Sequence, residues 1–133
     1  MRRLLIVTAA IELGAGLALL CIPSAAAAAV FGSPLETPAS LALGRLAGTA
    51  LLALGITSVL ASRDAQSPAA RGFIAAMTLY NVGAGVILGA AGIWLRPIGF
   101  LLWPGVALHS VMTGWCVACL LSKPTQAFGA VGR

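Results

Sequence analysis

From Leu4 to Ile22 the chain is apolar with one interruption, Glu12, and the same pattern returns three more times. The apolar stretches run approximately over 4–22, 39–61, 72–94 and 98–121. Each is near the ~20 residues that an α-helix needs to cross ~30 Å of hydrocarbon. Polar or helix-breaking segments separate them: "PSAAAAAVFGSPLETP", "SRDAQSPAARG" and the tight "LRPIG" turn. Within the first of these, Ala25–Val30 is expected to form a short helix against the membrane surface. Thr37–Pro38 and Ser67–Pro68 each place a capping hydroxyl before a proline at the first helical position. Backbone polar groups inside a bilayer must be satisfied internally, which helices do. The expected fold is therefore all-α: one transmembrane domain over residues 1–133, an antiparallel four-helix bundle with short connections.

Composition agrees with a hydrocarbon solvent. Apolar residues make up 60% of the 133 positions and charged residues 8%, against roughly 45–50% and 25% in soluble globular domains. A chain this short has too much surface for its volume to hide that excess from water. The formal charge of +5 forms no dense basic stripe interleaved with aromatics, so nucleic acid is not an expected partner. The basic residues mark topology instead. Arg2, Arg3, Arg63, Arg71, Lys123 and Arg133 fall on one side of the four spans and Arg96 on the other, so both termini are expected in the cytoplasm. Trp94 and Trp103 would then stand at the opposite interface. The expected location is the cytoplasmic (inner) membrane of a bacterium, with the lipid bilayer as first partner. "MRR", an apolar run and "PSAAAAA" have the outline of a secretory signal, but a carboxylate in mid-run is wrong for one.

Lipid tails are as apolar as leucine, so membrane helices associate through close backbone approach and hydrogen bonds. Gly44 and Gly48 form a GxxxG pair in the second span, with Gly55 on the same face. Gly85 and Gly89 form another in the third, with Gly92 beyond. Gly14 and Gly16 thin the first span. These faces predict packing within the chain, with homo-oligomerisation as the alternative. Pro104–Gly105 is expected to kink the fourth helix.

Each span also carries one group that hydrocarbon resists: Glu12, Arg45, Asn81 and His109. At ~1.5 Å rise per residue they lie about 12, 23, 14 and 18 Å from the cytoplasmic ends. Three share one thin layer, while Arg45 lies higher on a flexible stem that can snorkel. Helical phase puts each beside small or hydroxyl residues: Thr8 and Gly16 with Glu12, Gly48 and Thr49 with Arg45, Thr78 and Gly85 with Asn81, Gly105 and Thr113 with His109. Glu12 is therefore expected to face inward and to meet His109, Arg45 or both. Intramembrane ionisable groups are functional candidates; equally, buried polar contacts can serve only to lock helix register.

"GWCVACL", residues 114–120, sets Cys116 and Cys119 one helical turn apart. This resembles the redox pair on the last helix of vitamin K epoxide reductases and of the quinone-linked disulfide-forming membrane enzymes, which are also four-helix bundles. Those families open their pair toward the oxidising side and carry a second, loop-borne pair. Here the charge bias places Cys116 and Cys119 near the cytoplasmic end, where thiols stay reduced, and Cys21 stands alone. No metal site is expected, since His109 and Cys116 are about 10 Å apart along the helix, and no cofactor motif occurs. In size, hydropathy and its glycine-bearing second span the whole chain resembles the small bacterial DoxX-like membrane proteins, which implies a compact four-helix bundle and no site residues. The functional expectation is a non-enzymatic accessory or assembly partner in a membrane complex. The alternatives are a small-solute or proton-coupled transporter using Glu12, Asn81 and His109, and a thiol–quinone redox protein using Cys116 and Cys119.

Overall fold

The computed structural model describes residues 1–122, and every described element is helical. In chain order these are α1 (Arg2–Cys21), α2 (Pro23–Phe31), α3 (Pro38–Arg63), α4 (Pro68–Trp94) and α5 (Leu102–Leu121). All but α2 are long and apolar enough to cross a membrane. Lys123 and Arg133, counted above for topology, lie outside the described residues.

The helix starts follow local chemistry. Thr37 Oγ1 accepts from the Ser40 backbone N–H at 3.1 Å, and Ser40 Oγ accepts from the Thr37 N–H at 3.1 Å, a reciprocal capping box. Ser67 Oγ accepts from the Ala70 N–H at 3.1 Å. In both helices a proline follows the cap, where its missing N–H costs nothing. The short helix expected near Ala25–Val30 is α2, begun by Pro23 and closed by Gly32 at φ 76°. That left-handed position favours glycine, and the Gly32 N–H donates to the Ala28 carbonyl at 2.9 Å. Exposed hydroxyls along the long helices donate inward to their own carbonyls: Thr49 to Arg45, Thr57 to Ala53 and Ser110 to Val106. That arrangement satisfies each of these hydroxyls within its own helix.

The fourth long helix begins at Leu102, not at residue 98. Residues 98–101 instead join the end of α2: the Gly99 N–H donates to the Val30 carbonyl at 3.1 Å and the Leu101 N–H to the Ala29 carbonyl at 2.9 Å. Gly99 lies against the Ala29 backbone, where a Cβ would overlap it. The late start also overturns the expected kink. Pro104 falls in the first turn of α5, where an N–H has no intrahelical partner to lose.

The closest helix packing is between α1 and α3. A Cβ on Gly16 would lie 2.8 Å from the Gly48 carbonyl oxygen, and one on Gly48 would lie 2.7 Å from Gly16 O and Leu20 N. Gly55 receives Leu13, while Gly44 receives Leu35 and Pro23. Hence the 44/48/55 glycine face packs within the chain, as its spacing predicts. The α4 glycines behave differently. Gly92 receives Leu102 and Trp103, and Gly85 lies at ordinary distance from His109, but Gly89 meets nothing within 4 Å. Thus Gly85 and Gly89 are no close-packed pair among the described residues. Gly14 is likewise open.

One core ties the α1/α3 pair to the α4/α5 pair. It gathers Leu4 and Leu5 from α1, Ile74 and Met77 from α4, and Met112 and Cys116 from α5. Elsewhere the surface is apolar, with Leu79, Phe100 and Leu121 each more than three-quarters exposed, as a lipid-facing surface requires.

Candidate functional site

Above that core the two helix pairs separate and leave a half-open cavity of about 860 Å³ between them. Its walls are aliphatic: Ile11 and Ala15 from α1, Ala26 and Val30 from α2, Leu43 from α3, and Leu108 from α5. Three polar side chains reach its lining from mid-helix, Glu12, Tyr80 and His109. Of the expected polar group, Glu12 and His109 line this space, whereas Asn81 and Arg45 do not.

Glu12 is only 3% exposed, and Thr8 and Gly16 on the same face of α1 are buried with it. Its contact within the described residues is with Tyr80, whose hydroxyl donates to Oε2 at 3.4 Å. That is long for an O–H···O bond, which is normally about 2.5–3.0 Å. A buried carboxyl thus sits at a cavity wall with one weak donor. Tyr80 was not singled out by sequence. The signal available was a lone tyrosine beside Asn81 in the middle of a span, since a buried Tyr hydroxyl usually finds a polar partner.

Asn81 and His109 do meet. Asn81 Nδ2 donates to the Met77 carbonyl at 2.7 Å, and Asn81 Oδ1 lies 2.8 Å from His109 Nδ1. The amide assignment is self-consistent, because exchanging its oxygen and nitrogen would set two carbonyl oxygens against each other. His109 therefore donates through Nδ1 and is held in one tautomer. Its ring stands edge-on to Tyr80, with centroids 5.7 Å apart at 81°. Tyr80 thus neighbours both Glu12 and His109, and the expected direct meeting of those two is not found among the described residues.

Arg45 does not join this group. It is exposed on α3, and the expectation that it meets Glu12 is not met. The reason is helical phase: Gly44 and Gly48 take the inward face against α1 and α2, which turns position 45 outward.

Cys116 and Cys119 are buried free thiols and Cys21 is an exposed one. Both buried thiols belong to the apolar core with Leu4, Leu5 and Met112, and neither lines the cavity. They pack there as small hydrophobes. Among the described residues no three His, Cys, Asp or Glu side chains gather as metal ligands do. Comparison of the chain with protein-family models, with curated proteins and with solved structures finds no match.

Proposed function

We propose that this is a four-span protein of a bacterial cytoplasmic membrane that holds a lipid-soluble small molecule between its two helix pairs, acting as a non-enzymatic accessory within a membrane complex. Its spans run antiparallel, with both termini in the cytoplasm. The pairing of Leu13 with Gly55, Leu20 with Gly48 and Pro23 with Gly44 supports opposed directions for α1 and α3. Arg2, Arg3, Arg63 and Arg71 at one set of helix ends, against Arg96 at the other, support the orientation.

The single observation carrying this reading is a nearly buried, weakly partnered Glu12 at the polar end of a large aliphatic cavity. Ligand sites are commonly mostly apolar spaces of about 300–1,000 Å³ with a few convergent polar groups. On the side of the chain termini the cavity ends at the packed core of Leu4, Leu5, Met77 and Met112. A closed end favours holding a molecule over conducting a proton or solute through one chain.

Native mass spectrometry of the protein released from mild detergent tests this. The expected spectrum carries a retained lipophile of defined mass, and Ala15→Trp, which fills the cavity from α1, loses it while keeping the wild-type helical circular dichroism. Wild-type protein that carries no lipophile, even after incubation with a total bacterial lipid extract, would refute the reading.

A further inference from the structure

The polar end of the cavity is specific about the head group it accepts. This inference rests on the ligand-holding reading above, and its test separates the two. Asn81 is fixed in orientation: Nδ2 donates to Met77 O, so it is Oδ1 that accepts from His109 Nδ1. With Nδ1 donating, the neutral imidazole offers Nε2 as a lone pair. No described residue donates to it. Glu12 Oε2 already accepts from Tyr80, and its carboxyl is nine-tenths buried yet has no fully enclosed, unpartnered oxygen. Its remaining bonding capacity is therefore on the cavity side. The acceptor His109 Nε2 and the Glu12 carboxyl thus both belong to the cavity lining, and the protein's nearby hydroxyl, on Tyr80, is already spent on Glu12.

We infer that the cavity takes a single-chain isoprenoid or aliphatic alcohol, its hydroxyl donating to His109 Nε2 beside Glu12 and its tail lying along Ala26, Val30, Leu43 and Leu108. A hydroxyl both donates and accepts, so it satisfies the histidine nitrogen and remains compatible with either protonation state of Glu12. A ketone, ester or ether head brings only acceptors and leaves Nε2 unpaired, which a low-dielectric site penalises. The tail follows the lining: an extended single chain can lie along the aliphatic side chains of α2, α3 and α5.

The experiment is equilibrium binding of radiolabelled geranylgeraniol to the full-length protein in nanodiscs, in competition with unlabelled geranylgeraniol or its O-methyl ether. The pair shares its tail and differs only in the hydroxyl hydrogen. The expected result is an alcohol that competes about tenfold better than the ether, the size of one well-made hydrogen bond. His109→Phe keeps a ring against Tyr80 and should abolish that preference while leaving ether affinity within about twofold. Equal competition by alcohol and ether in the wild type, or a preference that survives His109→Phe, would overturn the head-group assignment while leaving the cavity reading in place. Binding of neither compound would overturn the alcohol assignment, and the retained-lipophile spectrum described above then decides the cavity reading separately. Because the alcohol–ether comparison is made on unaltered protein, it stands even if the variant does not fold.

Discussion

Gly48→Ala is the most direct probe of how this protein is held together. The added methyl would sit 2.7 Å from Gly16 O and Leu20 N. Both are backbone atoms of α1, so no side chain can rotate aside. To restore ordinary contact near 3.4 Å, α1 and α3 must part by about 0.7 Å. A gap of that size forfeits a quarter to a half of the dispersion well at each contacting pair, itself about 0.1–0.2 kcal/mol. Over some tens of atom pairs along the seam the loss is about 2 kcal/mol, within the usual range for overpacking. Alanine also improves helix propensity over glycine by up to about 1 kcal/mol, so the net destabilisation is about 1 kcal/mol. Gly89→Ala supplies the control. It meets nothing within 4 Å and should be neutral or stabilising by up to about 1 kcal/mol. The two variants should therefore differ by about 2 kcal/mol in reversible unfolding by SDS titration in mixed micelles, followed by circular dichroism. Equal stability would refute the claim that the α1–α3 seam depends on backbone contact.

Three further outcomes follow from burial and exposure. Replacing Cys116 and Cys119 together by Ala should cost stability by about 1 kcal/mol per site through lost packing and leave lipophile retention unchanged; loss of retention without loss of stability would show that the thiols act in the site. Maleimide should label Cys21 in the folded protein and reach Cys116 only after denaturation, measured by mass shift. Arg45→Leu should change stability by no more than about 0.5 kcal/mol, since its side chain is exposed outside the polar group; a loss of about 3 kcal/mol in the same SDS assay would mean that it is a buried partner of Glu12.

Most of the architecture was legible because it depends on short-range chemistry. Span positions follow from hydropathy over about twenty residues, and the starts of α3 and α4 follow from Thr37–Pro38 and Ser67–Pro68. Glu12 reads as inward-facing because a carboxyl in a long apolar run has few other places to go. Which group it meets was not readable in the same way. Arg45, His109 and Tyr80 all stood at workable depths, and only the rotation of α3 about its axis, settled by Gly44 and Gly48 against α1 and α2, turned Arg45 away. The two GxxxG spacings were equivalent as text, yet only that of α3 is buried against a neighbouring backbone. The start of α5 was equally undecided, because Ile98, Gly99, Phe100 and Leu101 are apolar whether helical or not. Hydrogen bonds from that segment to Ala29 and Val30 decided it. Composition and local spacing thus determined that the chain forms four helices long and apolar enough to cross a membrane, each interrupted by a polar group. Only tertiary contact, which depends on helix rotation and on partners distant in sequence, decided that those helices pack as two pairs joined at one end and leave a cavity bounded by Glu12, Tyr80 and His109.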